Sequence, residues 1–390
     1  MPFPPTRAAA LEQLENFVPL AAKYASTRNF DLGTGHHTGV SQLSPYLRTR
    51  LITEEEATRA VLGKHSPRAA EKFLQEIAWR TYWKGWLEMR PAVWSHYTST
   101  LADLEKQRKL PDYQNAITGN TGIACFDHWA NELTSTCYLH NHARMWFASI
   151  WIFTLKLPWQ LGADFFLTHL IDADPASNTL SWRWVAGLHT RGKHYLSRAS
   201  NIEKFTHGRF NPSGQLNESA TPLTEQTDFE KQPLHLPQNP KPSGRTGHLI
   251  FPEDLSPPPE SIGNIAATAA FIPPSLNTTP LVENFLSGAV HDTLHHTHGT
   301  LLTGTFESAL NDWISAEKLD SIIISKPTVG IARDFLESEN LPIQPQPFIR
   351  DWDRELWPKA TAGFFKLKKA LPKIHSSLTY PRHEDLFPHI

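Results

Sequence analysis

The chain has 390 residues and a net charge of −2, and 40% of its residues are hydrophobic. This length is enough for two domains of ordinary size, each with its own core. Two cysteines exclude a disulfide framework and a four-thiolate iron–sulfur site, and the near-zero charge argues against nucleic-acid binding by charge alone.

Helical periodicity dominates the first half of the chain. Apolar residues recur at steps of three and four in five segments, at 9–25, 53–62, 67–89, 126–155 and 162–171. We therefore predict an all-α domain over residues 1–212.

The longest apolar run of the chain is MWFASIWIFTL at 145–155. It is much shorter than the ~20 residues that a membrane span requires, so we predict a buried helix there. The first residues, MPFPPTRAAALEQ, contain no apolar signal region. Together these features predict a soluble cytoplasmic protein that does not associate with membranes.

The composition changes at Asn211. From there to Arg245 the chain is rich in Pro, Ser, Gln, Asn and Gly without a sustained apolar period, which predicts a linker, placed at 213–246. Beyond it, the short β-rich runs HLIF, IAATAAFI, TLLTG and SIIIS alternate with the helical stretches SALNDWISAEKL and VGIARDFLESE. This alternation predicts a Rossmann-like α/β domain with a parallel sheet at 247–375, followed by a C-terminal tail at 376–390.

The two halves of the chain differ in charge. Residues 1–212 hold 23 Lys and Arg against 18 Asp and Glu, whereas residues 213–390 hold 14 against 21. Only the first half is therefore suited to an anionic partner. Ordinary variation between domains explains the same difference equally well.

Tryptophan is concentrated in the helical half, where ten of the 13 lie between positions 79 and 184. Within EIAWRTYW, four side chains fall on one helix face at steps of three and four: Glu76, Trp79, Arg80 and Trp83. A carboxylate, a flat ring and a guanidinium together suit recognition of a nucleic-acid base. A partly buried aromatic stripe beside a solvated ion pair is the other interpretation.

Six motifs occur in one order over 175 residues. They are TGVSQLSPYLRTRLIT from Thr38, EIAWR from Glu76, TGIACFD from Thr121, YLHNHARM from Tyr138, LIDADPASNTLSWRW from Leu170 and RFNP from Arg209. Together they resemble the FAD-binding domain of the DNA photolyase and cryptochrome superfamily, and the resemblance covers residues 1–212. It implies a photolyase-type helical fold, bound FAD and light-driven chemistry.

The resemblance also implies how the flavin is held. Asp172 pairs with Arg144 beside the flavin, Asp174 contacts the edge of the ring, and Asn178 faces its N5 atom. An amide suits that place because it both donates and accepts hydrogen bonds. The loop at 41–44 hydrogen-bonds the phosphates, with Thr38 compensating for Val40. The predicted cofactor contacts are Tyr24, Thr38, Ser41, Gln42, Leu43, Ser44, Arg144, Asp172, Asp174 and Asn178.

Two tryptophans are implied as electron donors that reduce the flavin under light. Trp182 is the first donor and Trp159 the second. The usual third tryptophan of the family falls at Lys106 in this chain. Three residues are candidates for the outer end of the electron-transfer chain: Tyr113, Trp94 and Trp151.

The implied substrate is DNA that carries cyclobutane pyrimidine dimers. Glu76 would hydrogen-bond the damaged bases and stabilise the dimer radical anion, and Trp79 would stack against them. Asn141 and Met145 match the residues of cyclobutane-dimer repair enzymes, whereas (6-4) enzymes carry histidines there. The dimer would be flipped out of the duplex. The resemblance thus implies a deoxyribodipyrimidine photo-lyase, a carbon–carbon lyase that requires no metal.

Basic residues near these motifs are predicted to grip the DNA. Arg80 lies beside Trp79, and the stretch after Trp184 is long and basic. The predicted DNA contacts are Trp79, Arg80, Arg191, Lys193 and Arg198. A solvated loop is the alternative for the last three. We expect damaged DNA as the partner of a monomeric protein.

The second domain also resembles a part of the family. GHLIFPEDLS, SIIISKPTVGIARDFLE and FFKLKKALPKI match pieces of the α/β antenna domain, which usually precedes the helical one. Its position here suggests a circular permutation. The antenna-binding residues expected after SIIIS are missing, which argues against a second chromophore. The histidine-rich HDTLHHTH at 291–298 is interpreted as an exposed turn rather than a metal site.

Three other functions stay open. A cryptochrome-like photoreceptor would keep the flavin without repair, and the near-neutral charge and missing third tryptophan favour it. Repair of (6-4) photoproducts is the second, and a flavin-binding structural remnant the third.

Overall fold

The computed structural model of the protein describes residues 3–274, 276–341 and 343–378. Its first part consists of helices α1 (Arg7–Phe17), α2 (Tyr24–Thr27), α3 (Ser44–Thr49), α4 (Glu54–Lys64), α5 (Glu71–Glu88), α6 (Ala92–Asp103), α7 (Pro111–Ile117), α8 (Ala124–Thr136), α9 (Asn141–Ser149), α10 (Trp159–His169), α11 (Pro175–Ala186) and α12 (Ala199–Phe205). The predicted tail at 376–390 lies outside the described residues beyond Leu378.

The second part alternates strands and helices. In chain order they are β1 (Thr246–Ile250), β2 (Ala267–Ala270), α13 (Pro280–Thr297), β3 (Thr300–Leu301), α14 (Phe306–Glu317), β4 (Ser321–Ser325), α15 (Ile331–Ser338), β5 (Gln346–Phe348), α16 (Asp351–Leu356), α17 (Phe364–Lys368) and α18 (Leu371–Ser377). The predicted fold class, a helical domain followed by a parallel α/β domain, is confirmed.

Local chemistry explains where several helices begin and end. Thr53 and Glu56 form a reciprocal capping box at the start of α4. The predicted single helix at 126–155 is interrupted, because Cys137 takes a left-handed conformation with φ 58° and ends α8. The apolar run at 145–155 is buried as predicted, and it finishes α9 with one π-helical turn at Ile150–Thr154.

Helix α11 follows directly from the segment IDADP. The Asp174 side chain caps its first turn by accepting a hydrogen bond from the Ser177 N–H at 3.0 Å. Pro175 occupies the first helical position, where its missing N–H costs nothing. This sharp start places the carboxylates of Asp172 and Asp174 just before a buried helix.

All five strands of the described sheet are parallel, in the order β3-β2-β1-β4-β5. The chain leaves β1 towards β2 on one side and returns to β4 on the other. The carboxyl ends of β1 and β4 therefore form the switch point at which open α/β sheets usually bind ligands.

The histidine-rich segment at 291–298 is helical, so its interpretation as a turn was wrong. Helix α13 continues to Thr297, and His298 forms its C-cap with φ 50°. No helix among the described residues is long and apolar enough to cross a membrane.

The linker predicted at 213–246 has no helix or strand before β1 begins at Thr246. Its first half runs along the helical domain, and Asn239 in its second half contacts Ile349 and Arg354 of the α/β domain. Glu225 accepts two hydrogen bonds from the buried Arg183 guanidinium, at 2.9 and 2.6 Å. The Leu223 N–H donates to the Ala186 carbonyl at 3.0 Å. These contacts make the linker an ordered strap on the helical surface.

Buried ion pairs join the α/β domain to α5. Glu88, at the end of α5, binds Lys326 and Arg333 from the segment after β4. It also accepts the Val329 N–H at 2.7 Å. Because Glu88 is almost fully buried, these contacts hold the two domains in one arrangement.

Candidate functional site

A cavity of about 430 Å³ lies in the helical domain between α2, α3, α5, α9 and α11. Most of the residues predicted to act at a site line it together. From the predicted cofactor contacts it contains Tyr24, Ser41, Gln42, Ser44, Arg144, Asp172, Asp174 and Asn178, and from the predicted substrate contacts Glu76, Trp79, Asn141 and Met145. Residues far apart in the sequence therefore meet around one space.

The predicted phosphate loop forms the entrance to α3. Ser44 is the first residue of the helix, and the backbone turns at Gln42, which has φ 53°. The Ser41 carbonyl accepts a hydrogen bond from the Gln13 side chain at 2.8 Å. Two other predicted contacts stay outside the cavity lining: Leu43 is fully buried beneath the loop, and Thr38 is exposed.

Arg144 and Asp172 form the predicted ion pair. Two parallel hydrogen bonds of 2.9 Å join the guanidinium of Arg144 to both carboxylate oxygens of Asp172. Burial would lower the pKa of Arg144, but the Asp172 carboxylate raises it above its ordinary value. The pair therefore presents a fixed cation and anion at the cavity wall.

Asp174 lines the cavity with a second ion pair behind it. The carboxylate oxygen of Asp174 that does not cap α11 accepts a hydrogen bond from the Arg80 guanidinium at 2.6 Å. Burial would raise the pKa of Asp174, but the Arg80 and Lys84 cations hold it below the ordinary value. Asp174 is consequently ionised at neutral pH and is unsuited to act as a proton donor.

Asn178 lies one turn into α11, and its side chain reaches the cavity. The amide nitrogen donates to the Ala163 carbonyl of α10 at 2.7 Å. This bond fixes the orientation of the amide, which leaves its oxygen as the group available to accept a hydrogen bond from a ligand.

The predicted base-contacting residues lie on the α5 side of the cavity. Glu76 forms an ion pair with Arg28 of the segment after α2. The Trp79 ring stacks on Phe364 of α17, with ring centroids 3.9 Å apart and planes within 10°. Both predicted contacts thus have protein partners in addition to the cavity.

The cavity lining also contains residues that were not predicted as site residues, among them Arg28 and Trp184. Arg28 falls between the motifs, and its ion pair with Glu76 depends on the tertiary fold. Trp184 stacks on Tyr195 with ring centroids 6.0 Å apart. The signal for Trp184 was its spacing of two residues from Trp182, within a tryptophan-rich segment.

Of the two predicted electron donors, one lines the cavity and the other does not. Trp182 lines the cavity and packs against Trp151, with ring centroids 6.1 Å apart. Trp151 in turn contacts Tyr113 at 5.9 Å. Trp159 is buried away from the cavity lining, where it stacks on Tyr97 at 5.6 Å.

The residues predicted to grip DNA do not form one group. Arg80 lines the cavity, but its guanidinium binds Asp174 and lies 3.3 Å from Glu54, inside the protein. Arg191 is exposed and pairs with Asp228 of the linker at 3.1 Å. Lys193 and Arg198 are outside the cavity lining.

Comparison with known proteins agrees with this geometry. Residues 73–248 match the profile of a family described as the FAD binding domain of DNA photolyase. This part of the chain is therefore similar to the FAD-binding domain of DNA photolyases.

Individual relatives match over part of their length. A deoxyribodipyrimidine photo-lyase of Synechococcus is 29% identical over 215 residues, which are 52% of this chain and 44% of the relative. One of Streptomyces griseus is 35% identical over 152 residues, 38% of this chain and 32% of the relative. The chain thus spans less than half the length of these relatives.

Among solved structures, a bacterial class III photolyase from Agrobacterium tumefaciens is 27% identical, with a TM-score of 0.44. The match covers 52% of this chain and 43% of that chain.

The cavity has the chemistry that FAD requires. The Arg144–Asp172 pair and the Asn178 oxygen offer polar contacts to the edge of a flavin ring. Tyr24, Ser41 and Ser44 line the cavity at the α2 and α3 side, where hydroxyl groups suit phosphate oxygens. The residues present therefore fit the cofactor.

Proposed function

We propose that the protein is a FAD-dependent photolyase that repairs cyclobutane pyrimidine dimers in DNA. The observation that carries the proposal is that one cavity collects both predicted sets of residues. Flavin contacts such as Arg144 and Asn178 share it with Glu76 and Asn141. Electron transfer over a short distance requires such proximity of cofactor and substrate.

FAD, when bound and reduced, supplies under blue light the electron that opens the two carbon–carbon bonds of the dimer. The protein's own residues bind and orient the substrate. Trp79 and Trp184 offer aromatic surface to bases flipped out of the duplex. Glu76 stands beside them in an ion pair with Arg28, and the Arg28 guanidinium that it holds there can stabilise negative charge on the dimer.

Asn141 and Met145 support the cyclobutane dimer over the (6-4) photoproduct as substrate. Asn141 begins α9 and Met145 follows one turn later, and both line the cavity. An amide and a thioether offer hydrogen bonds and a polarisable contact without a titrating group. Opening of a (6-4) product would be better served by histidines at these places.

The test is repair of a thymine-dimer oligonucleotide by purified, chemically reduced protein, in blue light and in darkness. Chemical reduction removes any dependence on the internal electron donors. We expect light-dependent recovery of intact thymines, measured by chromatography. Glu76→Ala should reduce the repair rate by about 10²-fold, which corresponds to a lost charge-stabilising contact, whereas Glu307→Gln on α14 should repair normally.

A photoreceptor without repair activity is the second candidate. It is favoured by the stacking of Phe364 on Trp79, which covers one face of a predicted base-binding ring. For this function we expect bound, reducible FAD and no recovery of thymines, and no gain of repair in Phe364→Ala. Recovery of (6-4) substrates in the same assay would instead identify the other repair reaction.

A further inference from the structure

Arg50 occupies a backbone position that favours glycine. It is the C-cap of α3, with φ 52° and ψ 37° in the left-handed region. A branched or long side chain is uncommon there, because Cβ crowds the following carbonyl. Strain of this kind persists where the surrounding structure holds it in place.

The Arg50 side chain is buried among three carboxylates. Its Nε lies 3.1 Å from Glu54, and its two terminal nitrogens bind Asp254 at 2.9 Å and Asp353 at 2.6 Å. The Arg50 carbonyl also accepts the Ser256 hydroxyl at 2.6 Å. Asp254 and Ser256 belong to the loop after β1, and Asp353 to α16, so the α/β domain supplies most of these partners.

These contacts fill the switch point of the sheet. Asp254 follows β1, and it also binds Ser325 at the end of β4 and Arg350 after β5. The remaining cavity there is about 30 Å³, which has room for water molecules only. Where sheets of this topology usually hold a dissociable ligand, this one holds an arginine of the helical domain.

From Arg50 the ion pairs continue to the flavin cavity. Glu54 lies between Arg50 and Arg80, with its second oxygen 3.3 Å from the Arg80 Nε. Arg80 in turn binds Asp174 at 2.6 Å, on the cavity wall. Glu54 is nearly inaccessible to solvent, so it is not screened by water and its charge acts on both arginines.

The α/β domain also reaches the start of α11, through Arg48 of α3 and by direct packing. Arg48 donates to the carbonyl of Ala173 at 2.8 Å and reaches that of Pro252 at 3.4 Å. Gly330 packs so closely on Pro175 that an added Cβ would lie 2.5 Å from the proline ring. Ala173, before Asp174, is thus linked to the α/β domain through Arg48 of α3, and Pro175, after it, packs on that domain directly.

We propose that Arg50 is a positioning residue, through which the α/β domain sets the charge at the flavin cavity. Arg50 shares the Glu54 carboxylate with Arg80 and so leaves Arg80 available to Asp174. The α/β domain thereby contributes to the cofactor site as a structural support. The inference rests on the flavin cavity and not on the repair of DNA.

The sign of the effect follows from the order of charges. Without Arg50, Glu54 interacts more strongly with Arg80 and the neighbouring Lys84, so these two cations neutralise Asp174 less completely. Added negative charge beside the cavity opposes reduction of bound FAD and lowers its midpoint potential. Without the charge of Glu54, the Arg80 cation neutralises Asp174 more completely, and the midpoint potential of bound FAD rises.

The experiment compares Arg50→Gly with Lys318→Gly and Glu54→Gln. Glycine suits the left-handed backbone at position 50, so Arg50→Gly removes the guanidinium without a backbone conflict. Lys318 is the exposed C-cap of α14 with φ 51°, and Lys318→Gly is the matched backbone control. The dissociation constant and the midpoint potential of FAD are measured in darkness, without DNA.

We expect Arg50→Gly to weaken FAD binding roughly tenfold, a usual size for coupled sites, and to lower the midpoint potential. Glu54→Gln should raise the potential, and Lys318→Gly should leave both quantities unchanged. General damage to the fold would shift the midpoint potential of FAD in the same direction in Arg50→Gly and Glu54→Gln. Shifts of the same sign, or values equal to those of Lys318→Gly, overturn the proposal. If Arg50→Gly does not fold, an unchanged or lowered potential in Glu54→Gln overturns it alone.

Discussion

At the residue scale, the first donor of the electron-transfer chain is open to a direct test. Trp182 is the predicted donor that lines the cavity, whereas Trp159 is buried outside the cavity lining and stacks on Tyr97. We expect Trp182→Phe to lose most light-driven reduction of bound FAD, because phenylalanine is much harder to oxidise. Absorption spectroscopy under blue light measures this loss.

Trp151→Phe and Trp159→Phe are compared with Trp182→Phe to identify the second donor. Trp151 touches Trp182, with ring centroids 6.1 Å apart, so it competes with Trp159 as second donor. The variant that slows reduction identifies that donor. Unchanged reduction in Trp182→Phe contradicts its role, and repair by the chemically reduced variant shows that its fold is intact.

Buried histidines make the protein sensitive to acid. Burial lowers the pKa of His140 and His189 to about 3, and that of His248 to about 4. Below about pH 6.5 the unfolded chain binds protons that the folded state cannot, so stability falls by roughly 1.4 kcal/mol per pH unit for each histidine. Urea unfolding at pH 7, 6 and 5 measures this slope.

His248→Phe should remove the contribution of one histidine to the dependence of the unfolding free energy on pH. His248 lies in β1 beside the Phe348 ring, where an aromatic replacement can pack. We expect its slope between pH 6 and 5 to decrease by about 1.4 kcal/mol per unit. His291→Gln, on the exposed side of α13, should keep the full slope, and equal slopes in both variants would contradict the assignment.

At the element scale, α10 approaches α11 so closely that only glycine fits at position 162. An added Cβ there would lie 2.3 Å from Cη2 of Trp182 and 2.9 Å from Cε2 of Trp151. By helix propensity alone, Gly162→Ala would stabilise the protein by about 1 kcal/mol. We expect instead a loss of roughly 1–3 kcal/mol from overpacking, with altered tryptophan fluorescence.

Gly363→Ala is the control for this substitution. A Cβ at Gly363 meets no atom within 4 Å. Its stability, measured by thermal unfolding, should stay close to that of the parent protein. If Gly162→Ala were equally stable, the packing of Trp182 against α10 would not limit this position.

The sequence predicts about half of the described helices and four of the five described strands, because their apolar spacing is local. It does not predict α6 or the long helix α13. It misses α11 because its first turn is set by the Asp174 cap and Pro175 rather than by apolar spacing. It misses β5 because this strand has three residues and contains Pro347.

The motifs predict most of the cavity, including the Arg144–Asp172 pair. The partners of Arg80 and Glu76 escape prediction, since they come from distant parts of the chain that only the tertiary fold brings together. The same reason hides the Arg50 contacts, although the motif itself contains that residue. The individual roles of the cavity residues stay predictions.

At the scale of the whole molecule, Glu88 is a main contact between the two domains. Glu88→Gln would leave the Lys326 and Arg333 cations without a counter-ion in a buried place. Breaking such a pair from one side costs about 3–5 kcal/mol. We expect a loss of this size in urea unfolding, with the α/β domain released first.

Glu317→Gln provides the comparison for Glu88→Gln. Glu317 pairs with Arg245 at 3.4 Å on the exposed surface of the α/β domain. Its loss should change stability by less than about 0.5 kcal/mol. Equal effects of the two substitutions would show that the Glu88 contacts do not hold the domains together.

The order of the two domains stays a predicted circular permutation. The matched family profile covers residues 73–248 and so ends within β1, at the start of the α/β part. The α/β part, with its switch point occupied by Arg50, gives no support for a second chromophore at that place.

The strapped linker has a consequence for how the protein can be made. Arg183 and Glu225 tie its first half to the helical domain, while Glu88 and Arg50 join the domains through space. An unbroken chain near Ser243 is therefore not needed to hold the helical and α/β domains together after they have associated. Two polypeptides divided at this point and translated separately would therefore associate as two subunits of one complex. They could be encoded by two separate genes.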